Sequence, residues 1–332
     1  MEAKIINKIE GFINRHNLIN IEKTYVLAVS GGPDSVFLMD ALLKIYKNNK
    51  TKFIVAYIHH GLRKESDKEL QFVKKLTSDY GFPFYYRKVR IKKQKGKSIE
   101  NEARKKRYKA LKELAEKKRC AGIITGHTLD DQAETIFLNM LRGSGLTGIC
   151  GMPPKIEIEK DGHLYLIRPL LFTLRENISK YLKEKNLKFK LDRSNFDLKY
   201  RRNYIRHKIF PVIEKINPGF KKVLGRLSFI LQADENFIKN RAEYFYNKSA
   251  EKSKDNIIID FKKFTILPLA LQREIIKTAI GELIKSKYSP PFIIIEEIRE
   301  KIIEKKMPMT IQKLSVNVSY QENKIYIHKF KK

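Results

Sequence analysis

Residues Tyr25-Val26-Leu27-Ala28-Val29-Ser30-Gly31-Gly32-Pro33-Asp34-Ser35 decide how the chain is read. The first five form a short apolar run of the kind that favours a strand. Behind Ser35, the residues Val36, Met39, Leu43 and Tyr46 recur at three- and four-residue spacing, which predicts one face of an amphipathic helix. Between strand and helix, Gly31 and Gly32 carry no Cβ and can take positive φ, so backbone N–H groups can close on an anion. The helix start adds unpaired donors and a positive dipole end. Ser30, Gly31, Gly32, Pro33, Asp34 and Ser35 are therefore expected to cradle phosphate. The spacing is neither G-x-x-x-x-G-K-S/T nor G-x-G-x-x-G, and no lysine follows the glycines.

Outward from this stretch, strand and helix patterns alternate. Ile5 to Asn17 reads as a leading helix, and Phe53 to Ile58 as a buried strand ending at His59-His60-Gly61-Leu62-Arg63. Ser66 to Tyr80 reads as helix and Phe84 to Ile91 as strand. Ser98 is the expected cap of a helix reaching Lys118, and Gly122 to Thr125 the next strand. Such alternation predicts right-handed βαβ units and a doubly wound α/β parallel sheet, with ligands at the carboxyl ends of its strands. Ser30, His60 and His127 all fall at those ends.

Gly126 to Thr135 follows the fourth strand and opens a helix. Helical spacing puts Asp130 and Asp131 on one face with Glu134. Three carboxylates beside a phosphate loop suggest a magnesium–triphosphate site with hard oxygen ligands. His127 is placed for electrostatic or acid–base help. Arg142 to Gly148 is glycine-rich, Leu164 to Arg168 reads as an edge strand, and Thr173 starts a helix to Asn186. Asp192 to Asn195 is a polar turn, and Tyr200 to Ile216 a basic helix broken near Pro211. Asn217-Pro218-Gly219 is the clearest linker signal, dividing a catalytic domain, 1–216, from a mainly helical domain, 217–332, expected to contact RNA. In the latter, Val223 to Tyr246, Leu269 to Lys285 and Pro291 to Lys305 read as helices. Val316 to Phe330 reads as a hairpin turned near Glu322-Asn323.

A formal charge of +32, from 69 basic and 37 acidic side chains, favours a polyanionic partner, nucleic acid before membrane. Arg87 to Arg119 holds 16 Lys/Arg against 4 acids, and Arg175 to Lys208 holds 12 against 4. Tyr108, Tyr200 and Tyr204 are interleaved there and suit base stacking. Two cysteines, Cys120 and Cys150, are too few for a Cys-only metal or iron–sulfur site and fit a reducing cytoplasm. The first twenty or so residues have no signal-peptide core, and no apolar run approaches the ~18 residues of a membrane span.

Taken in order, these motifs resemble the tRNA(Ile)-lysidine synthetases among the PP-loop ATP pyrophosphatases. The carriers are Ser30 to Ser35, His60 to Arg63, Glu100 through Arg104 to Arg107-Tyr108, and Gly126 to Thr135. Arg142 to Gly148, Arg168-Pro169-Leu170-Leu171, Asp192 to Asn195 and Arg202-Asn203-Tyr204-Ile205-Arg206 continue the series. Tyr57 stands where relatives often have a histidine, and Thr128 where they often have a second one. The resemblance implies a PP-loop, Rossmann-like fold and a two-step reaction. ATP adenylates O2 of the wobble cytidine in a CAU-anticodon isoleucine tRNA, and free L-lysine then displaces AMP at C2. ATP and Mg2+ are implied as cofactors, with Asp34, Asp130 and Asp131 as the magnesium carboxylates. Asp34, Asp130, Asp131, His127 and Glu134 are implied as catalytic residues. Arg104, Arg107 and Arg142 are expected on phosphate or the cytidine, and Arg202 and Arg206 on the tRNA backbone. Compared with longer members, the chain is expected to lack a further terminal domain and to grip tRNA through fewer contacts. Two rivals share features: a PP-loop tRNA thiolase and a non-catalytic RNA-binding protein. Oligomeric state is unreadable, and a homodimer stays open.

Overall fold

The computed structural model describes residues 2–59, 65–90, 99–158, 163–191, 196–284 and 290–330. Three expectations, His60 to Arg63, the Ser98 cap and the Asp192 to Asn195 turn, lie outside the described residues. The chain forms two compact units, one of residues 1–144 with 148–228 and one of residues 145–147 with 229–332.

The first unit is built on β1 (Tyr25–Ala28), β2 (Phe53–His59), β3 (Phe84–Lys88), β4 (Gly122–Ile124), β5 (Lys155–Glu157) and β6 (Tyr165–Ile167). Their order is β3-β2-β1-β4-β6-β5. All pairs are parallel except β5 with β6. Alternate residues bury on opposite faces, because side chains of a strand alternate. Leu27, Val55, Tyr57, Ile124 and Ile167 join the core under helices Glu2–Arg15, Pro33–Ile45 and Arg175–Glu184. Val26, Ala56, Ile58, Ile123 and Leu166 pack instead against Ala110, Leu111 and Leu114 of helix Ile99–Lys117. Burial on both faces is why these strands read as continuous apolar runs.

Two expectations change. Helix Pro33–Ile45 is not amphipathic: Ser35 to Leu42 are all buried, since helices Glu2–Arg15 and Arg175–Glu184 flank it as well as the sheet. Segment Leu164 to Arg168 is not an edge, because β5 pairs antiparallel along β6 and takes the edge itself. The three residues of β5, Lys-Ile-Glu, are too few to show periodicity.

The chain leaves β1 for β2 on one side and reaches β4 on the other, so the sheet's switch point lies between β1 and β4. The glycine loop follows β1, and Gly126-His127 follows β4. The pairing of β1 with β4 in the sheet brings these two segments together.

In the second unit, β7 (Ala250–Lys252), β8 (Asn256–Asp260), β9 (Met309–Ile311), β10 (Val316–Gln321) and β11 (Lys324–Lys329) form an antiparallel sheet, ordered β7-β8-β11-β10-β9. Ile257, Ile259, Val316, Val318, Ile325 and Ile327 bury one face with Ile275, Ile276 and Ile280 of helix Leu269–Ile284. The expected helices and hairpin are present, and Glu322 and Asn323 both take the positive φ that a two-residue hairpin turn needs. Helical residues outnumber strand residues here, as the mainly helical reading expects, and the sheet around the hairpin is what the sequence did not show. Three consecutive isoleucines in β8 carry no period that separates strand from helix.

Candidate active site

Helix Pro33–Ile45 starts directly behind the glycine loop. Gly31 sits at φ +82°, in the left-handed region where a Cβ is strained, and Gly32 is the extended N-cap with Pro33 in the first turn. Ser35 braces the loop: its Oγ donates to Gly32 O at 2.9 Å and accepts from Ser30 N at 3.2 Å. The hydroxyl of Ser30 lies 3.3 Å from that of Ser35. From the neighbouring strand end, Gly126 comes so close that a Cβ would stand 3.1 Å from Asp34 O. The loop and the Gly126 segment thus line one cavity of about 380 Å³.

Ser30, Gly32, Pro33, Asp34 and Ser35 form one side of that cavity, and His127, Asp131 and Arg175 another. Arg107 and Tyr108, from helix Ile99–Lys117, line it as well. Arg104 and Arg107 lie 5.5 and 5.7 Å from the Tyr108 ring centroid, so both cations sit within cation–π range of one ring. Arg142 is exposed at the end of helix Leu129–Leu141, 3.5 Å from Asn139 Oδ1, and does not line the cavity.

The carboxylates meet over one arginine. Arg175 Nε donates to Asp34 Oδ2 at 3.0 Å, Nη2 to Asp131 Oδ1 at 2.7 Å and Nη1 to Glu134 Oε1 at 3.3 Å. Its backbone N–H donates to Asp130 Oδ2 at 2.8 Å. Lys221 reaches the other oxygen of Asp130 at 3.0 Å. Arg202 and Arg206, expected on a tRNA backbone, donate to Glu134 at 2.5 and 2.7 Å. Arg202 also approaches Asp131 Oδ1 at 3.3 Å. The remaining Asp131 oxygen accepts from Thr128 N and Oγ1 at 2.9 and 3.0 Å, closing a capping box.

One oxygen of the cluster stands apart: Asp34 Oδ1 is buried with no hydrogen-bond partner among the described residues. Burial pushes the Asp34 carboxyl up to about 6, since Arg175 only partly offsets it and Asp131 adds a like charge. Asp131 is enclosed too, but Arg175 and Arg202 outweigh its burial and hold it well below the usual carboxylate range. Burial presses His127 down to about 3 against the pull of Asp131, so its ring is neutral at neutral pH. His127 Nδ1 lies 2.8 Å from Thr125 Oγ1.

Among the described residues, no three His, Cys, Asp or Glu side chains converge as a metal cage. The donor set suits magnesium in another way. That ion binds through one or two carboxylates and takes the rest of its shell from phosphate and water. Asp34 Oδ1, beside the phosphate loop, meets that need; Asp130 and Asp131 have their oxygens engaged by cations and N–H groups.

A PP-loop domain model matches residues 1–213. A tRNA(Ile)-lysidine synthase of Thermosipho africanus is 37% identical over 241 residues, covering 72% of this chain and 54% of that one. One of Persephonella marina is 32% identical over 325 residues, covering 96% of this chain and 68% of that one. The chain belongs to the tRNA(Ile)-lysidine synthase family of PP-loop proteins. It spans 54%, 58% and 61% of the length of the first three curated relatives it matches. The U34-tRNA thiolase of Methanococcus maripaludis, solved with its iron–sulfur cluster, has the same fold, with a TM-score of 0.58 at 18% identity. That match covers 69% of this chain and 79% of the thiolase.

Within this family framework, Arg175 is the residue that sequence reasoning missed. It heads the basic stretch Arg175 to Lys208, which as a whole reads as a nucleic-acid-binding surface. A signal was present: Arg175 opens helix Arg175–Glu184, where the dipole disfavours a cation. Tyr57 is buried and donates to Glu69 Oε2 at 3.0 Å, and both line the cavity. No helix among the described residues is long and apolar enough to cross a membrane.

Proposed function

We propose that this chain forms lysidine: ATP adenylates the wobble cytidine of a CAU-anticodon isoleucine tRNA, and free L-lysine then replaces AMP. The observation that carries the reading is the buried carboxylate oxygen of Asp34, unpartnered among the described residues, on a residue of the glycine loop that lines the cavity. Cytidine O2 attacks the α-phosphorus and pyrophosphate leaves. The loop N–H groups and the helix dipole hold the β- and γ-phosphates, where charge accumulates on the leaving group. Magnesium, when bound, would neutralise part of that charge, with Asp34 Oδ1 as its protein oxygen. In the second step the lysine ε-nitrogen forms a bond to C2, the C2–O bond breaks, AMP departs with O2, and one proton is released. His127, being neutral, serves as a hydrogen-bonding group rather than a cation. Arg104, Arg107 and Tyr108 are the candidates for holding the base and its phosphate at the rim, and Arg142 a candidate for tRNA outside it. Arg202 and Arg206, turned onto Glu134, organise the carboxylates. The domain after residue 216 is the proposed second tRNA contact, and the cytoplasm, where tRNA is modified, the proposed compartment. A homodimer is compatible with this reading and is not required by it.

Thiolation is the rival on the same fold. It needs an exposed thiolate of lowered pKa or a cysteine-held cluster. Both cysteines are buried, and burial pushes Cys120 up to about 11. The decisive assay mixes radiolabelled lysine, ATP and bulk bacterial tRNA. Label is expected in the CAU-anticodon isoleucine tRNA alone. A folded variant carrying Cys120→Ala and Cys150→Ala is expected to retain incorporation within about twofold, because the nucleophile is lysine and not a protein thiol. Loss of incorporation in that variant, or a thiolated base made by the wild type, would sink the reading.

A further inference from the structure

Helix Arg201–Tyr204 continues through the π turn Ile205–Ile209 into helix Phe210–Ile216, and its two faces do opposite things. Arg202 and Arg206, four apart, point inward onto Glu134 and Asp131. On the outward side Tyr204 is 50% exposed, with Tyr200 just before the helix at 39% and Phe196 at 62%. Tyr200, Tyr204 and Lys208 follow the four-residue spacing of a single face. Phe196 stacks on His207, with ring centroids 5.5 Å apart and planes 25° from parallel. Asn203 anchors that segment by donating to Asp197 O at 2.9 Å. Lys199, Arg201 and Lys208 stand exposed among the rings.

A soluble surface seldom gathers large rings without a partner for them. Rings alone would suit a protein; rings interleaved with cations, in a chain of net charge +32, suit a polyanion that also offers flat apolar faces. Single-stranded RNA offers both: unstacked bases lie on the rings and phosphates meet the cations. We infer that Phe196, Tyr200 and Tyr204, with Lys199, Arg201 and Lys208, form the docking surface for the unstacked loop of an RNA hairpin. The inference rests on the lysidine reading and gives its substrate a seat. Bases stacked here lie about one helix diameter, ~10 Å, from the carboxylates gripped by the inward face.

The test measures fluorescence anisotropy of a labelled anticodon stem–loop with a CAU loop, and of a fully paired duplex of the same length, without ATP or lysine. The Tyr200→Ala, Tyr204→Ala variant is expected to bind the stem–loop at least about tenfold more weakly, with its salt dependence unchanged, because each ring loses a base contact. The Arg201→Ala, Lys208→Ala variant is expected to lower the log–log salt slope by about 1.4, or ~0.7 per lost phosphate contact. Wild-type protein is expected to prefer the stem–loop over the duplex. All the substituted side chains are exposed, so circular dichroism is expected to match the wild type. Stem–loop affinity within twofold of wild type in the tyrosine variant overturns the inference but leaves lysidine formation standing. A wild type that binds neither RNA overturns both. A tyrosine variant that turns a dimer into a monomer, with RNA binding intact, overturns it in favour of a protein interface.

Discussion

Asp34 and Asp131 line the same cavity and share the same arginine, yet their carboxyls move in opposite directions. Asp131 receives Arg175 and Arg202 on one oxygen and the Thr128 cap on the other, so both oxygens accept hydrogen bonds and its charge is held. Asp34 receives Arg175 on one oxygen, and the other is buried with no partner among the described residues. One carboxylate has cations or N–H donors on both oxygens, and the other, within the phosphate loop itself, has one on a single oxygen. The contrast teaches where structure ends and chemistry begins. A finished ion cluster fixes helices in place, whereas an unfinished one stores affinity for whatever arrives.

The largest effect expected from this contrast is on stability. Asp131→Asn leaves Arg175 and Arg202 short of charge in a buried cluster, and thermal unfolding at pH 7 is expected to show a loss of about 3–5 kcal/mol. Asp131 ionises more readily folded than unfolded. Its contribution is therefore complete above the unfolded value of 3.8 and fades as pH falls through and below it. A deficit in the variant that persists undiminished at pH 3 would show that Asp131 acts by packing.

Next in size comes catalysis. Asp34→Ala is expected to lower lysidine formation ~10²–10³-fold while tRNA affinity holds, since one well-placed electrostatic group is worth about that much. Near-normal turnover in folded protein would remove Asp34 from the site. The smallest effect has the opposite sign to the first. Because burial raises Asp34 to about 6, ionising it costs the folded state stability, a cost absent below about pH 4 that grows to full size above about 6. Asp34→Asn is expected to be more stable than wild type by about 1–2 kcal/mol at pH 7 and equal to it at pH 4, after allowance for solvent screening. Equal stability at both pH values would erase the distinction between the two carboxylates.

Local pattern reached far into this molecule. Tyr25 to Ser35 named the strand, the turn and the helix, because strand propensity, glycine freedom and helical period act within a few residues of one another. The same holds for Gly126 to Thr135, where Thr128 caps the helix that Asp131 completes. The short strand β5 and the isoleucine run of β8 stayed hidden, since three residues or three like residues carry no period. The π turn beside Pro211 announced itself only as a break in a basic helix.

The sequence by itself determined the loop chemistry, the winding of the parallel sheet and the gathering of Ser30, Asp34, His127, Asp131 and Glu134 at one edge. These follow from local dihedral preference, hydrophobic period and the handedness of the crossover, all of which a single chain segment expresses alone. Tertiary structure decided which charges answer which. Arg175 stands 141 positions from Asp34, and Arg202 and Arg206 face Glu134 across 68 and 72. In a sequence each of these arginines is one cation among many. Burial beside a carboxylate, which only the fold supplies, is what turns Arg202 inward and leaves Tyr204 outside, two residues along the same helix.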